Sequence, residues 1–380
     1  MRTWTCQGPQ ILAHSCRAPP RNGYLDPMLI HLLLACASPN DTGDQAPHFD
    51  APDSEGSFTP VTVQDSFTAR GGEELTVQVW YPSETSGAGS QVRYDAIYDG
   101  VSRSQGAAAC DQPRPVLMFS HGNGGIRWQS TFFTELAAAH GYIVVAPDHL
   151  GNTLFDMDEV DRNVVALRRP HDISDAFDWA VAQSEDAESP IAGCIDPDAG
   201  FAVAGHSFGG FTTLFLSGAT IDRPALAERC EPAGGWLCGI PELSEEAVLV
   251  GADSRVWAAI PMTPVGALTF DAGLSEQSTP ILVMGGSQDT LTSMEIQVTP
   301  IYEGVGGEPA YLATIEGAGH FSFSVMCDLS PTFNGCGDDF LDADTTTQLI
   351  NEMSLAFLGQ VRGFETDAFL PADGPVEWSE

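Results

Sequence analysis

Residues 201–210 constrain this chain more than any other stretch. Phe201-Ala-Val-Ala204 is an apolar run of strand length. It passes directly into Gly205-His-Ser-Phe-Gly209, and Phe211-Thr-Thr-Leu-Phe-Leu216 continues as an apolar helix. A Gly-x-Ser-x-Gly pentapeptide alone is a weak signal. Between a strand and a helix it describes a sharp turn that strains the serine backbone and lifts the hydroxyl clear of the sheet. The flanking glycines answer a steric need, because a Cβ at either would meet the neighbouring strand or helix. Ser207 is the candidate nucleophile.

A serine hydroxyl becomes a nucleophile only beside a general base, itself oriented by an acid. Where the serine sits on such a turn, the partners follow it along the chain as acid, then histidine. The chain has nine histidines, and only His320 lies beyond Ser207. His320 closes the loop Glu316-Gly-Ala-Gly, which leaves the strand-like Tyr311-Leu-Ala-Thr-Ile. The apolar run Pro280-Ile-Leu-Val-Met reads as a buried parallel strand and breaks into Gly285-Gly-Ser-Gln-Asp289. Asp289 is the candidate acid. Asp271, on the loop after a strand at 256–260, is the alternative. An oxyanion needs N–H donors as well. Phe208, directly after the nucleophile, offers one. The loop His121-Gly-Asn-Gly-Gly125, after the strand 116–120, offers the other from Asn123, with Gly122 as the alternative. The helix expected to start near Arg127 adds its positive dipole end. His121 and His149 are read as braces for their loops.

From residue 115 onward strands and helices alternate. Strands are expected at 116–120, 142–146, 201–206, 256–260, 281–284 and 311–315, and helices at about 128–139, 172–183, 208–217 and 345–359. This is the pattern of an α/β fold, a mostly parallel doubly wound sheet with helices on both faces. Before it, Phe58 to Pro82 reads as two antiparallel edge strands joined at Gly71-Gly72. Residues 83–113 read as a loop-rich insertion. Segment 219–254 interrupts the core and is placed to overhang the site.

These residues carry a resemblance. Phe119-Ser-His-Gly-Asn-Gly-Gly, Ala138-Ala-His-Gly-Tyr-Ile-Val-Val-Ala-Pro-Asp-His, Gly205-His-Ser-Phe-Gly-Gly and Leu75-Thr-Val-Gln-Val-Trp-Tyr-Pro resemble the α/β-hydrolase group of dienelactone-hydrolase-like and platelet-activating-factor acetylhydrolase-like esterases. Ala258-Ala-Ile-Pro-Met-Thr-Pro, Gly285-Gly-Ser-Gln-Asp-Thr and Gly317-Ala-Gly-His-Phe are similar to bacterial cutinase-like polyester hydrolases and lipases. The matches span about residues 58–325. They imply the α/β-hydrolase fold and cleavage of carboxylic esters by Ser207, His320 and Asp289 through an acyl-enzyme, without cofactor or metal. The chain departs from the acetylhydrolases at Met262-Thr263, where they carry the acid. It departs from the polyester hydrolases at Val265, where they carry a clamp tryptophan.

In that fold the strands at 116–120 and 201–204 are parallel neighbours, so Cys110 and Cys194, each a few residues before one of them, meet at the rim opposite the site. Cys230 with Cys238, and Cys327 with Cys336, are close pairs within Gly- and Pro-bearing loops. Six cysteines beyond residue 36 suggest disulfides and an oxidising compartment. Met28-Leu-Ile-His-Leu-Leu-Leu-Ala-Cys36 resembles a bacterial lipobox with Cys36 as the lipidated residue, giving a lipid anchor to a membrane; a plain signal peptide is the alternative.

The expected organisation is therefore a leader at 1–36 (with 1–27 ahead of a true start at Met28), a tether at 37–56, a catalytic domain at 57–362 and an acidic tail at 363–380. The protein is expected to be secreted, or a periplasmic or outer-membrane lipoprotein, and monomeric. Its partner is an ester of a small acyl group, a lipid or a polyester. A formal charge of −37, with all fifteen basic residues Arg, excludes nucleic acid as a partner. The acids at 338, 339, 342 and 344 are read as solvated helix-cap residues, with calcium binding as the alternative. Two other uses of the fold stay open: a non-catalytic lipoprotein with the fold as a binding surface, and an acyltransferase.

Overall fold

The computed structural model describes residues 55–85, 89–157, 160–230, 237–240, 251–364 and 375–379. The expected leader with Cys36, and nearly all of the tether, lie outside these residues.

Strand residues of the central sheet alternate between two apolar layers, as a period of two dictates. In β5 (Val116–Ser120), Val116 and Met118 face one layer while Leu117 and Phe119 face the other. In β7 (Phe201–His206), Phe201 and Val203 are split from Ala202 and Ala204 in the same way. The first layer is closed by α2 (Arg162–Glu185) and α3 (Phe208–Leu216), the second by α1 (Thr131–Ala139) and α5 (Ala343–Val361). Helix α4 (Arg223–Cys230) follows α3. With both faces covered, these strands are buried along their length, which is why they read as continuous apolar runs.

The remaining strands are β1 (Thr59–Thr68), β2 (Glu74–Ser83), β3 (Gln91–Tyr94), β4 (Tyr98–Arg103), β6 (Ile143–Pro147), β8 (Val256–Met262), β9 (Ile281–Gly286), β10 (Ala310–Ile315) and β11 (Val376–Ser379). Among the described residues the sheet order is β11-β10-β9-β8-β7-β5-β6-β2-β1-β4-β3. The run from β6 to β10 is parallel throughout. This is the expected doubly wound sheet. It brings the carboxyl ends of β5, β7, β9 and β10 to one rim.

Four differences from the sequence reading stand out. The insertion 83–113 contains the β3–β4 hairpin, which extends the sheet past β1, so β1 and β2 are not edge strands. The turn between β3 and β4 places Asp95 and Ala96 at φ 45° and 60°, a conformation that neither residue announces. The hairpin is held by buried Glu135, whose carboxylate accepts from Tyr94 Oη, Val101 N and Ser102 N at 2.8–3.0 Å. Helix α2 begins ten residues earlier than expected. Pro170 lies inside it, and Pro is ordinarily a helix stop. Here Asp161 caps the start by accepting from Asn163 N, and Val165, Ala166 and Ile173 are fully buried on either side of the proline. Helix α1 starts at Thr131, one turn later than the expected start near Arg127. The tail is not loose throughout, since β11 pairs antiparallel with β10 and leaves Trp378 opposite Ala313.

Candidate active site

Ser207 joins β7 to α3 with φ 58° and ψ −112°, a conformation that costs energy in any residue with a Cβ. Its amide is tied to the end of β8 by a hydrogen bond to Met262 O at 2.9 Å. A Cβ on Gly209 would stand 1.8 Å from Ser120 O, and one on Gly205 would stand 2.4 Å from Gly209 O. Helix α3 therefore sits directly against the β5 terminus, and only glycine permits it.

His320 opens the turn after β10, and Asp289 lies just beyond β9. Their side chains meet, with His320 Nδ1 and Asp289 Oδ2 2.8 Å apart. The carboxylate is further held by Leu291 N and Thr292 N, each donating to Oδ1 at 2.8 Å. Burial, the largest single influence, pushes the Asp289 carboxyl up. The hydrogen bonds and charge of His320 and Thr292 outweigh it and hold the pKa below the usual carboxylate range. Thr292, which the sequence reading missed, has its hydroxyl 3.1 Å from His320 Nδ1, 2.8 Å from Asp289 Oδ2 and 3.0 Å from Thr263 O. Where the acetylhydrolase-like pattern has an acid after β8, this chain thus supplies a carbonyl that anchors the Asp289 loop. Asp271 lies elsewhere and pairs with Arg229. No hydrogen bond joins Ser207 Oγ to His320 Nε2 here; both residues line one cavity. Such contacts commonly tighten only with substrate bound.

The two candidate donors of the oxyanion loop differ in use. Gly122 N donates to Gln129 Oε1 at 2.9 Å. Gly122 O accepts from His121 Nδ1 at 2.7 Å and from Gly125 N at 3.1 Å. The N–H of the same planar peptide belongs to Asn123 and points the opposite way. It has no hydrogen-bond partner among the described residues, and Asn123 lines the cavity. Gln129 also reaches His206 Nδ1 at 2.9 Å, while His206 Nε2 lies 3.0 Å from His320 O. Burial is the largest influence on His206 and brings its pKa down to about 3, so this neutral ring links the oxyanion loop to the His320 loop. Neither Gln129 nor His206 was singled out from sequence, because their partners are remote in the chain.

His121 and His149 brace the loops, as expected. His149 N donates to His121 Nε2 at 3.0 Å, and the His149 ring reaches Ser120 Oγ at 2.9 Å and Asp172 Oδ2 at 2.8 Å. Burial holds both imidazoles well below the ordinary range and pushes the Asp172 carboxyl up to about 8.

The cavity over Ser207 and His320 has a volume of about 890 Å3. Its walls are mostly apolar, and Val265 stands where the clamp tryptophan of the polyester hydrolases would be. Part of the 219–254 segment does overhang the site, since Leu226, Arg229, Cys230 and Cys238 line it. Leu154, Met157, Leu268, Leu291 and Leu329 form a solvent-exposed apolar collar at its mouth. The structure joins Cys110 to Cys194, Cys230 to Cys238 and Cys327 to Cys336. The last bridge closes the loop behind His320, where Asn334 Oδ1 accepts from His320 N at 2.9 Å.

A model of the alpha/beta hydrolase family matches residues 116–328, from β5 to just beyond the His320 loop. Cutinase est2 of Thermobifida alba is 26% identical over 209 residues, which is 54% of this chain and 53% of that protein. The chain thus spans about half the length of that curated relative.

Proposed function

Since the chain belongs to the alpha/beta hydrolase family, whose model covers more than half of it, we propose that it is a serine hydrolase of carboxylic esters. The observation that carries this reading is the pairing of His320 Nδ1 with Asp289 Oδ2 at 2.8 Å, beside a strained Ser207 that opens on the same cavity. In the proposed reaction Ser207 Oγ attacks the ester carbonyl and its proton passes to His320 Nε2. Asp289 fixes the imidazole tautomer and stabilises the imidazolium. The Phe208 and Asn123 amides hold the oxyanion. The protonated His320 then releases the alcohol, and water, deprotonated in turn by His320, cleaves the acyl-enzyme. The apolar walls suit an acyl ester, and the similarity to a cutinase supports the same class. Three disulfides support placement in an oxidising compartment, as a secreted protein or a periplasmic or outer-membrane lipoprotein.

A fluorophosphonate probe should label the folded protein on the Ser207 peptide and leave Ser207→Ala unlabelled. p-Nitrophenyl esters from acetate to palmitate should be turned over and report the acyl length the cavity accepts. Folded protein that neither labels nor hydrolyses any of them would leave only the binding-surface reading.

A further inference from the structure

Arg169 is the one fully buried arginine side chain among the described residues, and the triad chemistry does not use it. Burying a guanidinium is costly unless its donors are satisfied. An apolar residue in the same place would carry no such cost, so the location of its partners is informative. Nη2 donates to His121 O and, at 3.1 Å, to Ser120 Oγ. Nη1 donates to Asn152 Oδ1 at 2.6 Å, and Nε to Thr212 Oγ1 at 3.0 Å. The guanidinium carbon lies 4.7 Å from the centre of the Phe208 ring, within cation–π range.

Apart from Asn152, on the loop after β6, these partners fall on the two segments that carry the oxyanion donors. On the β5 side, the His121–Gly122 peptide is gripped at both ends, its carbonyl by Arg169 and its N–H by Gln129. Asn152 relays the same grip outward, since its Nδ2 donates to Asn123 Oδ1 at 2.9 Å and its carbonyl accepts from Gly124 N at 3.1 Å. On the α3 side, Thr212 Oγ1 donates to Phe208 O at 3.1 Å, and the ring of Phe208 lies against the cation itself. We propose that Arg169 is the positioning residue of the oxyanion hole: a buried cation that spans the gap between β5 and α3 and fixes the separation and aim of the Asn123 and Phe208 amides. Its charge is held against the His121 carbonyl and the Phe208 ring, preorganised before the reaction begins.

The inference rests on the ester-hydrolase reading. It is tested with Arg169→Lys and Arg169→Met in the full protein, assayed on p-nitrophenyl butyrate and its thiono analogue, with circular dichroism and melting as checks of fold. A thionoester places sulfur where the oxyanion would form, and sulfur accepts hydrogen bonds poorly. It therefore gains little from the donors. On the oxygen ester kcat should fall by about 10- to 100-fold, less than the 10²–10³ that follows removal of a donor itself, with KM little changed. The thionoester should lose less, so the oxygen-to-sulfur rate ratio should shrink by roughly tenfold. A folded variant with wild-type kcat, or equal losses on both esters, overturns the proposal. Where neither Arg169 variant folds, Asn152→Ala removes the relay to Asn123 together with the acceptor of Arg169 Nη1 and should show the same shift in ratio at smaller size; equal losses there overturn it too. Wild-type protein that hydrolyses neither ester defeats the hydrolase reading, and this inference with it.

Discussion

Removing the Cys110–Cys194 bridge should cost stability and leave the chemistry untouched. The bridge spans 84 residues, from the entry of β5 to the entry of β7, whose first residues Val116 and Phe201 are register partners. In the chain-entropy description, closing a loop of about 85 residues removes roughly 15 cal/mol/K from the unfolded chain, or about 4–5 kcal/mol at 25 °C. For a folded unit of roughly 320 residues the unfolding entropy at Tm is about 0.7 kcal/mol/K, so the loss corresponds to a fall in Tm of about 7 °C. Alanine is the better replacement, because Cys194 is fully buried and serine there would bury a hydroxyl. The double variant, melted by calorimetry at neutral pH beside the oxidised parent, should show this fall. Its kcat and KM for p-nitrophenyl butyrate at 20 °C should match the parent, since the bridge lies at the opposite end of the strands from Ser207. A Tm within a degree of the parent would refute the loop argument. A large kcat loss in the folded variant would refute the separation between bridge and site.

Other outcomes follow from the same geometry. Ser207→Ala and His320→Ala should each abolish ester turnover, and the double variant should be no slower than either single, because triad members act as a unit; further slowing in the double counts against a shared mechanism. Asp289→Asn should lose activity severely while Asp271→Asn stays near wild type, and the reverse result would move the acid to Asp271. His206 is buried neutral with its pKa lowered to about 3. As pH falls through about 6.5 the unfolded state takes up a proton that the folded state does not. Stability therefore drops on acidification, by roughly 2 kcal/mol for this residue between pH 7 and pH 5. His206→Gln should show a correspondingly flatter stability–pH curve in denaturant titrations, and parallel curves would contradict the assignment.

Much of this site could be read from the chain because each member announces itself locally. Ser207, Asp289 and His320 each follow an apolar strand that breaks into glycine, and such breaks in a parallel sheet fall on a common rim. The supporting shell gives no such local sign. Arg169 stands beside Pro170, in a stretch whose helical nature the proline conceals, and its partners at 120, 121, 152 and 212 come together only once α2 lies against β5 and α3. Thr292 and Gln129 are ordinary polar residues until the fold aims them. The β3–β4 hairpin escaped detection for a different reason. Its turn carries positive φ at Asp95 and Ala96 without glycine, and buried Glu135, from another element, holds it in place. Strand β11 is four residues long and exists by pairing with β10.

The cavity is bounded by parts with separate anchorage. The groups assigned to the reaction hang from β5, β7, β9 and β10 and are tied to one another through Gln129, His206 and Thr292. Leu226, Arg229, Cys230 and Cys238, by contrast, belong to the connection between α3 and β8, and a short disulfide fastens that panel to itself. The described part of that panel is fastened to helices and loops, through Arg229 to Asp271 and Leu268 O and through Gly239 N to Asn163 Oδ1. Grafting a different panel between Asp222 and Asp253 is a route to new acyl preferences on an unaltered catalytic frame, whereas redesigning the wall formed by Phe321 and Phe333 disturbs the loop that aims the base.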